Sequence, residues 1–116
     1  MHNFRGLNIW KDSMDLARQI LQLTKKFPSI ERFSLVSQMN RCAISIPSNI
    51  AEGSARKSNK EFMQFLRISL GSAFELETQL ILSFESGYLN EEVYENLIKR
   101  IQTNQKMISG FIRTLE

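Results

Sequence analysis

Few side chains in this sequence carry nucleophilic or acid–base chemistry, and their spacing limits what they can do. Ser45 and Ser48 are the candidate hydroxyl nucleophiles, but activating a serine requires a base within hydrogen-bond reach. The single histidine, His2, lies at a terminus expected to fray. Glu75 and Glu77 are two positions apart, so on a helix they point in different directions and do not form an acid/base pair. The single cysteine, Cys42, has no partner for an internal disulfide and falls at an inward position, where a buried, inert thiol is expected. One histidine cannot anchor a multi-imidazole metal site. The isolated Gly53, Gly71 and Gly87 do not make a phosphate-cradling loop. The sequence therefore predicts a protein that is not an enzyme, with no catalytic residue, no metal and no cofactor.

Charge is the remaining chemical resource. The formal net charge is +3 and the sequence pI is about 9.2, but the balance is uneven along the chain. Residues 1–60 hold ten Lys and Arg against four Asp and Glu, whereas residues 61–116 hold five against eight. A basic surface attracts polyanions, and Lys and Arg contacts to phosphates supply most sequence-independent nucleic-acid affinity. The candidate phosphate contacts are Lys11, Arg18 and Lys25 along the first helix, Lys26 beside them, and Arg56, Lys57 and Lys60 around the second turn. The competing reading of the same residues is a solubilising surface.

These residues must be positioned by helices. The chain has 116 residues, of which 42% are hydrophobic, enough for one domain with one core. No apolar run reaches the ~18 to 20 residues needed to span a bilayer, and the first residues lack the apolar stretch of a signal peptide, so a cytoplasmic protein without a membrane partner is expected. Trp10, Met14, Ala17 and Leu21, with Leu16, Ile20, Leu23 and Phe27 beside them, have the three-and-four spacing of an amphipathic helix over about 7–26, stopped by Pro28. A second helix over about 33–54 places Leu35, Met39, Cys42, Ala43, Ile46 and Ile50 inward and is expected to kink near Pro47 before Gly53 ends it. Ser58 or Asn59 caps a third helix over about 59–86. That helix has two apolar seams, Phe62, Leu66, Ser69, Ala73, Leu76 and Leu80 in one, and Leu70, Phe74, Ile81, Phe84 and Tyr88 in the other. A single protomer needs only one. Gly87 stops this helix, and Asn90 caps a fourth over about 90–115. Four helices with short connections alternate in direction, giving an all-α, antiparallel up-down-up-down four-helix bundle spanning residues 1–116.

Arg41, Ser45, Ser48 and Glu52 recur along one side of the second helix. Pairing around the second turn places positions whose numbers sum to about 115 opposite each other. That predicts an Arg41–Glu75 ion pair and a close helix approach at Ser45, Gly71, Ser72 and Ala73. The same reasoning around the third turn puts Glu77 opposite Arg100. Arg41, Ser45, Asn49, Glu52, Glu75 and Glu77 are thus expected to form a structural polar core that fixes helix register. In a second reading, Arg41 and Asn49 contact a ligand at the proline kink. Asn104, between Ile101 and Met107, either specifies register or faces solvent.

The run Gln38-Met39-Asn40-Arg41-Cys42-Ala43-Ile44-Ser45-Ile46-Pro47-Ser48-Asn49-Ile50-Ala51-Glu52-Gly53 resembles the hallmark of the bacterial four-helix bundle proteins encoded in intervening sequences of large-subunit ribosomal RNA genes. Phe62 to Leu66, the run Gly71-Ser72-Ala73-Phe74-Glu75-Leu76-Glu77 and the turn Gly87-Tyr88-Leu89 extend the match over nearly the whole chain. Arg41-Cys42 stands where many relatives have Arg-Ala or a similar pair. The resemblance implies a homopentameric barrel, and kinship with the accessory protein of diversity-generating retroelements, a basic pentamer that works with nucleic acid. The expected function is a non-enzymatic oligomer associated with RNA or DNA through the basic surfaces of its first helix and second turn. The alternative is an oligomeric scaffold that binds another protein through its third and fourth helices.

Overall fold

A computed structural model describes residues 2–116, which form four α-helices: α1 Asn8–Thr24, α2 Leu35–Ser54, α3 Asn59–Glu85 and α4 Glu91–Leu115. Short 3-10 turns at Phe4–Gly6 and Ser29–Glu31 complete the architecture, and no strand occurs among the described residues. Each boundary has a local cause. Ser58 caps α3 by accepting from the Glu61 amide at 3.1 Å, while Glu61 reaches back to the Ser58 hydroxyl, so the two form a capping pair. Asn90 caps α4 by accepting from the Val93 amide at 2.8 Å. At the end of α3, Gly87 adopts φ +82°. This left-handed turn directs the Gly87 amide to the Phe84 carbonyl and the Tyr88 amide to the Ser83 carbonyl, the Schellman closure that a Cβ would oppose.

Cross-helix contacts establish the alternating direction. The His2 amide donates to the Ser54 carbonyl and Phe62 packs on Phe111, so the start of α1, the α2–α3 turn and the end of α4 share one end of the bundle. Thr24 bonds Asn40 and Phe27 packs on Tyr88 at the other end. The core between them is contributed by Leu16 and Ile20 of α1, Met39, Ile46 and Ile50 of α2, Phe62, Leu66, Leu76 and Leu80 of α3, and Ile101 and Ile108 of α4, all essentially inaccessible. The first seam of α3 is therefore its core face. Of the second seam, Leu70 and Tyr88 pack against the core, Phe84 stacks on Tyr94 at 4.2 Å, and Ile81 is half-buried. Ile68, Phe74 and Leu82 are the large apolar residues of α3 left about half exposed.

Four local expectations need correction. Helix α2 begins at Leu35, so Phe33 lies in the connection and is 88% exposed. The helix continues through Pro47 without a break, as expected, and ends at Ser54, with Gly53 a buried helical residue instead of a stop. A Cβ at Gly53 would fall 2.7 Å from Phe65 Cβ and 2.8 Å from Phe62 Cδ1, whereas one at Gly71 would meet nothing within 4 Å. Gly53, not Gly71, is thus the glycine pressed against the facing helix, while Ser45 and Ser72 do meet as expected. The N-terminal segment is also anchored, since His2 bonds Ser54 and its ring lies 5.1 Å from that of Phe62.

The α1–α2 connection is pinned at its centre. Glu31 accepts from the Ser34 hydroxyl at 2.6 Å and from the Tyr88 hydroxyl at 2.5 Å. The Ser34 hydrogen bond, then that of Tyr88, holds the Glu31 carboxyl below its ordinary 4.5, while Glu31 pushes the Tyr88 phenol above its ordinary 10.0. A lowered carboxyl stabilises the folded connection above the unfolded value, and that contribution is lost as pH falls through the folded one. The raised phenol contributes below 10.0 and loses its contribution as pH rises through its folded value. Tyr88→Phe is expected to speed amide exchange of residues 29–34 at neutral pH, with the difference from wild type vanishing in acid. Equal exchange rates at both pH values would show that the hydrogen bond does not hold the connection.

Candidate nucleic-acid interface

Lys11 and Arg18 of α1 and Lys25, the residue that caps its C-terminus, recur every seven residues, and all three are exposed. Two helical turns rise about 10.5 Å and drift only about 20° around the axis, so their cationic groups form a nearly straight stripe roughly 21 Å long. Arg18 is on the crest. It borders the cleft toward α4, with Gln22, Lys26 and Leu97, and also the groove toward α2, with Trp10, Met14 and Ile44.

A polar seam with α4 draws in the acids of α1, Asp12 largely buried and Asp15 still half exposed between Lys11 and Arg18. Arg100 Nη1 lies 3.0 Å from Asp12 Oδ1, and Nη2 lies 3.1 Å from Asp15 Oδ2 while also donating to the Asp12 carbonyl at 3.2 Å. Asn104 is completely buried and donates to Asp12 Oδ2 and Ser13 Oγ, each at 2.9 Å. Its place between α1 and α4 decides in favour of the register role over the solvent-facing one. The remaining ion pair among the described residues joins Arg56 to Glu52, so none of the three uses Lys11, Arg18, Lys25 or Lys26.

The seven candidate cations do not form one patch. Lys11 shares one end of the bundle with the turn carrying Arg56, Lys57 and Lys60, Arg18 is midway, and Lys25 and Lys26 close the opposite end. Lys57 and Lys60 are exposed. Arg56 is committed elsewhere, paired with Glu52 at 3.4 Å and laid over the Phe65 ring at 4.8 Å.

Side chains on the α2–α3 seam were expected to form a polar core, and the outcome is mixed. Ser45 meets Ser72 at 2.8 Å, and Asn49 donates to the Ser45 carbonyl and hydroxyl, each at 2.9 Å. Beneath them, buried Ser69 donates to the carbonyl of Ile46, the residue just before Pro47, at 2.8 Å. Arg41, Glu52 and Glu75, however, are exposed. Arg41 and Glu75 line one cleft of about 390 Å³ but form no ion pair. Cys42 stands between them and donates its thiol to Glu75 Oε2 at 3.7 Å while Gln79 donates to the sulfur at 3.4 Å. Burial foremost, with the Glu75 charge behind it, pushes the Cys42 thiol above its ordinary 9.0 and disfavours the thiolate. Glu77 accepts from Gln102 at 3.4 Å and Gln105 at 2.6 Å instead of facing Arg100. The register was right, but Arg100 leaves α4 on the side facing α1. Ser45 is hydrogen-bonded in mid-helix, and His2 packs against Phe62 and Phe111 at one end of the bundle, so the two do not meet.

Arg32 and Phe33, not anticipated as functional residues, lie beside this stripe. Lys25 and Arg32 line one cleft of about 310 Å³, and the Arg32 guanidinium lies 5.5 Å from the Phe33 ring centre. No periodicity marks them, because they fall outside both flanking helices.

Antiparallel α-helices packed through one apolar seam and tied at their edges by short polar side chains define a four-helix bundle protein. The chain belongs to the 23S rRNA-intervening sequence protein family, whose model matches residues 5–110. A solved structure similar to it is that of a protein of unknown function from the S23 ribosomal protein family of Bacteroides thetaiotaomicron, with a TM-score of 0.84 and 28% identity over 90% of this chain and 97% of that one. No curated protein matches the chain. No helix among the described residues is long and apolar enough to cross a membrane.

Proposed function

We propose that the protein is a non-enzymatic oligomer that associates with nucleic acid, RNA foremost, through the cationic stripe of α1. The observation that carries this reading is the separation of charges on that helix. Asp12 and Asp15 share Arg100, which offsets one of their two charges, while Lys11, Arg18 and Lys25 project without an ion pair at seven-residue intervals. Lys26, Lys57 and Lys60 extend the field beyond the stripe. Assembly of several copies, five by family resemblance, repeats the stripe and sums its attraction for phosphates. The half-exposed Ile68, Phe74 and Leu82 of α3 offer apolar surface for that assembly. A scaffold for a protein partner would use the same surface.

Binding of a labelled RNA, measured by anisotropy across a salt series, tests the proposal. Replacing Lys11, Arg18 and Lys25 together with Ala is expected to weaken binding at least about tenfold at low salt. The slope of log affinity against log salt should fall by roughly 2 to 3, since each lost phosphate contact removes about 0.7 to 0.9. Wild-type affinity that is insensitive to salt, or an unchanged slope in the triple variant, would overturn the assignment. Sedimentation as a single protomer at micromolar concentration would remove its oligomeric part.

A further inference from the structure

We propose that the α1–α2 connection is a stacking contact for an unpaired nucleic-acid strand, with Phe33 receiving a nucleobase and Lys25 and Arg32 holding the adjoining phosphates. This assignment rests on the nucleic-acid reading of α1 and adds to it a preference for unpaired over duplex strands. Phe33 and Ile30 are 88% and 84% exposed, the two most exposed large apolar side chains among the described residues. They are not on a loose loop. Glu31, lying between them in sequence, is fixed by Ser34 and Tyr88, and Phe27 packs on Tyr88 with ring centres 5.3 Å apart. The backbone on either side of Glu31 is therefore held while Phe33 projects into solvent.

The surroundings select the ligand. Lys25 and Arg32 share a cleft at the end of the α1 stripe, and Arg32 reaches the Phe33 ring, so a cationic path runs from Lys11 to an exposed aromatic face. Such a combination suits a polyanion whose repeating units also carry flat rings. A duplex fits poorly, because its bases are already stacked on one another. The Glu31 carboxylate keeps its negative charge, but its oxygens are engaged by Ser34 and Tyr88, and the cations of Lys25 and Arg32 outnumber it. Glu85, Glu91 and Glu92 occupy the same end on α3 and α4, and confine the cationic path to the α1 side.

The test compares a mixed-sequence single-stranded RNA with the blunt duplex of the same sequence. Phe33→Ala and Phe33→Leu are each expected to weaken single-strand binding about tenfold, a typical value for losing one base–aromatic stack, and to leave duplex binding unchanged. Phe33→Trp should retain wild-type affinity, and its indole emission should be quenched by the strand. Wild-type binding by Phe33→Leu would mean an apolar contact without stacking, and equal losses for strand and duplex would mean a general contact; either overturns the proposal. So would Phe33→Ala abolishing flotation with phosphatidylserine vesicles, or shifting the sedimentation coefficient, while RNA affinity stays constant. If the triple α1 variant loses RNA while the Phe33 variants bind normally, the stacking contact fails and the α1 reading stands. If the wild type binds neither RNA, both fail.

Discussion

At pH 7, Asn104→Asp is expected to cost about 3 to 5 kcal/mol of folding stability, the range for an uncompensated buried charge. The substitution hardly changes shape, so the loss is electrostatic. Asn104 is inaccessible to solvent, and its amide nitrogen donates to Asp12 Oδ2 at 2.9 Å. A carboxylate in its place would set two anions against each other with only Arg100 nearby, and Arg100 is already shared between Asp12 and Asp15. Burial and repulsion would both raise the folded-state pKa of the new carboxyl above its unfolded value of about 3.9. The deficit should therefore be full at neutral pH and shrink as pH falls through the raised folded value. Denaturant melts of wild type and variant at pH 7 and pH 4.5 check both magnitude and sign. A variant within 1 kcal/mol of wild type at pH 7 would mean that the Asn104–Asp12 contact is not maintained. Since a domain of this size has only about 5 to 15 kcal/mol of stability, the substitution removes a large share of it.

Gly53→Ala is expected to destabilise by about 1 to 3 kcal/mol, the usual cost of overpacking. Alanine is the better helix former by about 0.8 to 1 kcal/mol, so an exposed helical glycine would show the opposite sign. Gly53 does not, because the new methyl would sit 2.7 Å from Phe65 Cβ, an atom fixed to the α3 backbone that no rotamer change can move. Helices α2 and α3 must then separate at this end, loosening the contact of Phe62 with Phe111 and His2. The matched change Gly71→Ala, where nothing lies within 4 Å, is expected to be neutral or stabilising. Thermal melts of the two variants decide the matter, and equal shifts would contradict the close approach.

This contrast shows what the sequence could and could not convey. Helix periodicity and capping chemistry identified the four helices, the Ser58 and Asn90 caps and the Gly87 turn, because each depends on residues near one another in the chain. Counting across the second turn also brought Ser45 to Ser72, since a short connection fixes axial register. Direction around the helix axis was harder to read. Arg100 was matched with Glu77 in height, yet it turns toward α1, where two carboxylates compete for it. Arg41 reached the same cleft as Glu75 without pairing, and the Cys42 thiol contacts that carboxylate instead. Phe33 was assigned to α2 by its place before an apolar run. The Glu31–Tyr88 bond that ties down the connection spans 57 residues and left no local trace.

One edge of the bundle differs from the others. Helix α1 meets α2 across apolar side chains, but toward α4 it borders a cleft of about 400 Å³ and is joined through Asp12, Asp15, Arg100 and Asn104. The barrel of helices therefore has a hem that is laced instead of welded. Of the four adjacent helix pairs this one touches least, so local opening is expected to begin at that hem. Three of the four lacing side chains are charged, so lifting of α1 with its row of cations is expected to become more frequent as ionic strength rises.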